Sequence, residues 1–439
     1  MTSLELRLLE SLLPWRNAPA WRVAFSGGLD STVLLHLLVG LGRLQKLPLL
    51  SAVHIAHGLQ SAARDWPAHC QAVCQALGVP LQVEQVEVER ASSSLERAAR
   101  NARYQAFARL LAPAEVLLTA QHRDDQAETL LFRLLRGSGL KGLAAMPGQR
   151  ALGAGTLLRP LLDVSRAELQ AYAQQHQLVW VEDPSNADVQ YSRNYLRYQV
   201  MPLLEHRWPA AGAVLARTAA HLAEAQSLLD ELAAEDLRCL QGAPELEWLT
   251  LPSLELTRLR ELGEARQRNL LRAFLAPLTE LPDSAHWAGW YALRDAAIDA
   301  QPLWRLAGGE LHRAENRVWW LSGNWLEPVV GEIEWLQPNQ PLQLPGNGQL
   351  SFLGEAPSGP LLVRYRQGGE KMLLQGRGHR DLKRLLNEAR IPPFVRNRLP
   401  LLYRAGELLA VANLPDLSVA SSQDWRLVWQ PECCAQGLS

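Results

Sequence analysis

The chain has 439 residues, which at roughly 100 to 200 residues per domain predicts two to four domains, enough to bury a sizeable core. Apolar residues make up 48% and charged residues 20%, a balance that excludes a disordered chain and a fibrous repeat. Its 44 Lys and Arg offset 45 Asp and Glu to a formal charge of −1, which excludes a uniformly basic nucleic-acid binder and leaves a local basic patch open.

In chain order, the first element is an amphipathic helix whose leucines are interrupted by Glu5, Arg7 and Glu10, a pattern unlike a signal peptide. From Trp21 to about Leu178 short apolar runs alternate with helical periods, which predicts a doubly wound parallel α/β domain. Strands are expected at Arg22–Phe25, Leu50–Ile55, Leu81–Val88, Val116–Thr119 and Leu157–Leu162. Helices are expected at Thr32–Leu44, Asp65–Leu77, Leu95–Leu111 and Gln126–Arg136, with another opened by a Ser165/Glu168 capping box. Long Ala/Leu/Glu/Arg stretches from Pro209 to Leu278 predict a helical segment without strands. Pro282–Pro360, rich in Trp, Gly and Pro, reads as short strands and turns.

After Leu361 a small α+β module is expected, with a strand at Leu361–Arg366, a Gly368-Gly369 turn, a basic helix at Arg380–Arg390, Pro392-Pro393, and a hairpin over Leu401–Val411. The domains expected are therefore 1–208, 209–325 and 326–439. The apolar run Val33–Leu41 is short and interrupted by His36, so no membrane span is expected. Five cysteines without a CxxC pair fit a reducing compartment, and a cytoplasmic location is expected. Cys70 and Cys74 share a helix face as packing residues, and His36, His69 and His221 read as core or surface residues.

Two segments carry chemistry. Ser26-Gly27-Gly28-Leu29-Asp30-Ser31 follows the first strand and opens the first sheet helix, where α/β folds bind phosphate. Its glycines admit an anion to the backbone, and its N–H groups and hydroxyls are donors. It lacks the GK[ST] of a Walker loop and the GxGxxG spacing, and Asp30 would repel phosphate unless it held a metal. In Gln121-His122-Arg123-Asp124-Asp125-Gln126-Ala127-Glu128, again at a strand end, Asp125 and Glu128 share a helix face beside His122. Carboxylates here would hold Mg²⁺ beside a polyphosphate, and His122 would move a proton or stabilise charge.

With these loops in view, the chain resembles the PP-loop ATP pyrophosphatases, whose SGGxDS loop cradles the pyrophosphate of ATP while the α-phosphate is attacked. Within them it is similar to the tRNA(Ile)-lysidine synthetase family, on Val53-His54-Ile55-Ala56-His57-Gly58-Leu59, Glu96 to Tyr104 with Arg100 and Arg103, Arg136-Gly137-Ser138-Gly139-Leu140-Lys141-Gly142-Leu143, Met146, Arg159-Pro160-Leu161, Glu182-Asp183-Pro184-Ser185-Asn186, Arg193-Asn194-Tyr195-Leu196-Arg197, Arg364 to Glu370 and Ile391-Pro392-Pro393. Gln121 departs from the pattern, since many members carry a histidine there. The resemblance implies a PP-loop catalytic domain, a central helical domain that contacts tRNA, and a C-terminal tRNA-binding domain.

It also implies adenylation of the wobble cytidine of a CAU-anticodon isoleucine tRNA, then attack by the ε-amine of L-lysine. ATP would be held by Ser26, Gly27, Gly28, Leu29, Asp30 and Ser31, and Mg²⁺ by Asp30 and Asp125. The catalytic set would be His122, Asp125, Glu128 and Arg103. The tRNA contacts would be Arg193, Arg197, Arg364, Arg366, Lys383 and Arg384, and a homodimer stays open.

Residues 364–404 hold eleven Lys and Arg against three acids, a local net of +8. With Tyr365, Phe394 and Tyr403 interleaved, this stretch reads as an RNA-binding surface with rings to stack on bases. Arg258, Arg260, Arg266, Arg268 and Arg272 alternate with Glu255, Glu261 and Glu264 and read as paired surface charges. A tRNA thiolase is disfavoured because no CxxC lies near the loop. A non-catalytic RNA binder is disfavoured because the loop and acids are intact.

Overall fold

The computed structural model describes residues 2–56, 65–87, 95–242, 246–283, 285–297, 300–374, 378–419 and 425–432. His57, Gly58, Leu59, Val88, Arg377, Cys433 and Cys434 lie outside them. The chain forms two compact units, Met1–Ser227 and Leu228–Ser439.

In the first unit, α1 (Ser3–Leu12) is capped by Thr2 and Glu5 and buries Leu4, Leu8 and Leu12. The strands are β1 (Ala20–Ala24), β2 (Leu49–Ala56), β3 (Leu81–Gln85), β4 (Val116–Leu118), β5 (Gln149–Leu152) and β6 (Gly155–Leu158). They form one sheet in the order β3-β2-β1-β4-β6-β5, parallel except for the β5–β6 pair. The helices are α2 (Leu29–Leu44), α3 (Trp66–Leu77), α4 (Leu95–Leu110), α5 (Arg123–Leu135), α6 (Leu140–Leu143) and α7 (Arg166–Gln175). On one sheet face Val33, Leu34, Leu37, Leu38 and Leu41 of α2 pack with Leu8, Leu12, Leu169 and Tyr172. On the other, Phe107 and Leu111 pack with Ile55, Leu117 and Leu157. From β1 the chain adds β2 and β3 on one side and then crosses to β4 on the other, so a crevice opens at the carboxyl ends of β1 and β4. Both chemistry-bearing segments emerge there.

The sheet differs from the expected all-parallel one at its edge. Gln149, Arg150 and Ala151 of β5 are exposed, so no apolar run announces the strand, and Gly153 and Gly155 turn the chain back tightly. A side chain at Gly153 would collide with the Ala108 carbonyl of α4, which shows how closely this hairpin seats on that helix. α5 begins three residues before the apolar periodicity does, because Asp124 and Asp125 in its first turn favour the helix dipole. The unit continues through α8 (Ser192–Tyr195), a π-turn at Leu196–Val200, α9 (Met201–Arg207) and α10 (Ala211–Leu240), which crosses the unit boundary.

The second unit opens with β7 (Ser253–Glu255), α11 (Leu256–Glu261), α12 (Glu264–Leu275), α13 (Trp287–Asp295), β8 (Leu303–Leu306), β9 (Gly309–Ala314) and β10 (Arg317–Ser322). The segment expected to be purely helical thus contains β7, which pairs with β10 in a sheet ordered β7-β10-β9-β8. β7 is only three residues long and takes its stability from that distant partner, which local periodicity does not reveal.

Further strands are β11 (Glu332–Trp335), β12 (Leu342–Leu344), β13 (Gly348–Gly354), β14 (Leu361–Arg364), β15 (Lys371–Leu374) and β16 (Gly378–Asp381). α14 (Leu382–Glu388) and α15 (Pro393–Arg396) precede β17 (Leu401–Arg404), β18 (Glu407–Val411), β19 (Leu414–Ser418) and β20 (Trp425–Gln430). The basic helix is shorter than expected, because Asp381 caps it and Arg380 lies on β16. The boundary expected after residue 325 runs through one core in which Trp319 and Trp325 pack with Val363, Val395 and Trp429.

Arg398, counted in the basic surface, is 4% exposed. It donates to Asn347 Oδ1 at 3.1 Å and to the carbonyls of Asn324 at 2.8 Å and Glu327 at 2.7 Å. That is a structural role. Tyr365 is buried, Phe394 sits edge-on to Trp319 and Trp325, and Arg364 lies 5.2 Å over the Tyr403 ring. The expected stacking platform is therefore corrected for Tyr365, which is buried, whereas Phe394 and Tyr403 stay partly exposed.

Candidate active site

The loop from β1 to α2 is built for an anion. Gly27 has φ of +80°, and a Cβ there would stand 3.0 Å from Cys70 Sγ and 3.2 Å from the His69 ring, so glycine is required. Gly28 caps α2 without a side-chain hydrogen bond, leaving first-turn N–H groups to a ligand. The Ser26 and Ser31 hydroxyls lie 3.1 Å apart, and Val181 N–H donates to the Gly27 carbonyl at 2.9 Å, fixing the loop from outside. Cys70 and Cys74 are buried in packing as expected, and burial pushes the Cys70 thiol up to about 12.

This loop forms one wall of a cleft of about 730 Å³. Of the residues selected from sequence, Ser26, Gly28, Leu29, Asp30, Ser31, Arg103, Asp125 and Arg197 line it. His122 lies behind them, 1% exposed. Its Nε2 is 3.7 Å from Asp30 Oδ2 and 3.6 Å from Asp125 Oδ2, and its Nδ1 is 3.5 Å from Asp124 Oδ2. Burial opposes the imidazolium, but Asp124, Asp125 and Asp30 outweigh it and raise the pKa above the usual histidine value. Burial raises the pKa of Asp30, only partly offset by His122.

Arg193 and Arg197, expected on tRNA, are engaged within the unit by Asp125 and Glu128. Arg193 reaches Asp125 at 2.9 Å and Glu128 at 3.2 Å; Arg197 reaches Asp125 at 2.9 Å and Glu128 at 2.7 Å. Arg193 lies on α8 and Arg197 in the π-turn that follows it, a distortion common at functional sites. Glu128, 2% exposed, is thereby neutralised.

This arrangement also decides which residues suit a cation. Asp125 Oδ1 accepts from both guanidinium groups and Oδ2 from the His122 backbone N–H. Both oxygens of Asp125 thus accept hydrogen bonds, and Oδ2, with a single donor, keeps a lone pair for a cation. Asp30 Oδ1 is buried without a partner and also fits. Among the described residues no group of three or more His, Cys, Asp or Glu gathers as a metal site.

Sequence reasoning missed Gln121 as a site residue. Its Oε1 is buried, unpartnered and in the cleft. Arg166, Gln170, Trp180 and Glu182 also line the cleft; Glu182 lies in a motif that was noticed without a role.

Asp124 supplies a pH-dependent tie. Burial would raise its pKa, but His122 and the Arg166 backbone N–H, at 2.8 Å, hold it down to about 2. Its stabilisation is fully present above the ordinary aspartate value of about 3.9 and is lost as pH falls through about 2. Asp124→Asn should flatten the stability–pH curve in that window by up to one proton, measured by urea denaturation at stepped pH. An unchanged slope would contradict the assignment.

In the second unit, Arg364 pairs with Glu332 at 2.9 Å, Arg366 lies 3.8 Å from Glu370, and Arg384 is 3.0 Å from Glu388. Lys383 is exposed at the start of α14. Arg258 pairs with Glu255, Arg268 with Glu264, and Arg266 with Asp236, in keeping with paired charges.

Comparison with known proteins places these features in context. Residues 2–204 match the model of a PP-loop domain, 254–319 a TilS substrate binding domain, and 361–429 a TilS substrate C-terminal domain. The chain is 62% identical over 432 residues to the tRNA(Ile)-lysidine synthase of Pseudomonas fluorescens (strain Pf0-1), covering 98% of each. It is 62% identical over 439 residues to that of Pseudomonas aeruginosa, covering 99% of each. Identity to that of Xanthomonas axonopodis pv. citri is 44% over 416 residues, covering 92% of this chain and 91% of the relative.

Proposed function

The chain belongs to the tRNA(Ile)-lysidine synthase family, and from that premise we propose that its cleft carries out both half-reactions of lysidine formation. The reaction joins L-lysine to C2 of the wobble cytidine of the CAU-anticodon tRNA(Ile), with ATP converted to AMP and pyrophosphate. The modified anticodon then reads AUA rather than AUG.

In the first half-reaction the cytidine O2 attacks the α-phosphate of ATP and pyrophosphate leaves. In the second, the lysine ε-amine attacks C2, the C2–O bond breaks, AMP leaves with that oxygen, and the amine loses its proton. The Ser26–Ser31 loop holds the pyrophosphate portion through backbone N–H groups and hydroxyls. His122, whose pKa its neighbouring carboxylates raise, and Arg103 on the cleft wall stabilise charge at the α-phosphate. Asp30 would hold Mg²⁺, which would neutralise phosphate charge. Asp125 and Glu128 already hold two cations as guanidinium groups, so a lysine ammonium entering the cleft would compete for the same oxygens.

The observation that carries this reading is the convergence of the Ser26–Ser31 loop, the unpartnered Asp30 oxygen and His122 at one sheet edge. Purified protein given ATP, Mg²⁺, labelled lysine and the CAU-anticodon tRNA(Ile) should incorporate lysine and release pyrophosphate. Failure of both overturns the reading.

In the second unit, Lys383 and Arg384 would contact tRNA phosphates. The variant Lys383→Ala/Arg384→Ala should weaken tRNA binding and lower its salt slope by roughly 1 to 2, with ATP affinity unchanged. Loss of ATP affinity would count against separate sites.

A further inference from the structure

On α4 and the β5–β6 hairpin of the first unit lies a group of arginines of which only Arg103, on the cleft wall, has a role in the reaction described above. Around the Tyr104 ring, the guanidinium of Arg150 lies 4.8 Å from the centroid, that of Arg100 5.1 Å and that of Arg103 6.0 Å. Arg159 donates to the Pro147 carbonyl at 2.7 Å, yet its Nε is buried with no acceptor. Among the described residues, none of these four arginines forms an ion pair with a carboxylate.

Four like charges at such spacing repel, and the ring's quadrupole offsets each by only about 0.5 to 1 kcal/mol at exposed positions. The fold nevertheless fixes them together, because the β5–β6 hairpin seats on α4 at Gly153. An anion is the missing partner.

We infer that Arg100, Arg103, Arg150 and Arg159, gathered around Tyr104, form a cradle for the phosphodiester backbone of the single-stranded RNA segment beside the nucleotide being modified. This rests on the function proposed above. The placement favours a polyanion over a free nucleotide. Arg103 and Tyr104 line the cleft, whereas Arg100 and Arg150 are exposed and lie outside its lining. The positive strip therefore starts at the cleft and runs outward to the surface, as an extended strand entering with one base would require, while a triphosphate on the Ser26–Ser31 loop has its own donors. Arg recognises phosphate through paired N–H groups, and Tyr104 holds the guanidinium planes around one ring.

The test is the double variant Arg100→Ala/Arg150→Ala, which removes two exposed side chains, read beside wild type for tRNA affinity across salt concentrations, for the KM of ATP, and for lysine incorporation. The expected result is a loss of tRNA affinity of about tenfold or more, and a salt slope lower by roughly 1.5. The KM for ATP should be unchanged, and Arg100→Lys/Arg150→Lys should restore part of the salt slope. A rise in the KM for ATP with tRNA affinity intact would assign the cradle to the nucleotide and overturn the proposal. A double variant that matches wild type in all three readouts overturns it as well, while leaving the proposed function standing. A wild-type chain that neither binds nor modifies the tRNA overturns both.

Discussion

Asp30→Asn should cut pyrophosphate release by about 10²- to 10³-fold while leaving tRNA affinity and the unfolding midpoint intact or the latter slightly raised. The substitution keeps the side-chain volume and removes one charge. In the resting protein that charge is a liability: burial disfavours it, Asp125 repels it, and its Oδ1 has no hydrogen-bond partner. Folding therefore does not need the carboxylate, whereas Mg²⁺ and the phosphates beside it would. Paired measurements of pyrophosphate release and urea midpoint separate the two effects. Retained release would remove Asp30 from the reaction, and a lowered midpoint would show that its charge serves the fold.

Arg197→Ala should do the reverse and cost stability as well as activity. It removes the cation at 2.7 Å from Glu128, a carboxylate whose side chain is 3% exposed, and leaves it only Arg193 at 3.2 Å. Stranding a buried charge in this way costs about 3 kcal/mol, the low end of the range because Arg197 itself keeps solvent contact. Combining it with Glu128→Gln should recover most of that loss, since the orphaned charge is then gone, but not the activity. Equal urea midpoints for the single and double variants would show that the pair carries no such coupling.

Much of the site was legible in the sequence because its parts are local. Ser26–Ser31 joins an apolar strand to an apolar helix, and His122 to Glu128 does the same after β4, the strand beside β1, so topology alone brings them to one edge. The pairing of Arg193 and Arg197 with Asp125 and Glu128 was not legible, since it spans more than 60 residues and Arg197 sits in a π-turn that no periodicity marks. The same holds for β5 and β7, short strands defined by their partners, and for Arg398, whose composition suggested surface and whose acceptors are carbonyls far away in sequence. Net charge misled in a similar way, because a +8 stretch is cancelled by acids elsewhere in the chain.

The contact between Gly27 and Cys70 bears on how the protein withstands oxidants. A thiol against a phosphate-binding loop would be a point of failure if it reacted, because any added oxygen or adduct would press on the turn that needs to stay open for ATP. Burial that lifts the Cys70 thiol to about 12 keeps it in the unreactive protonated form. Packing thus insulates nucleotide binding from the redox state of the surroundings.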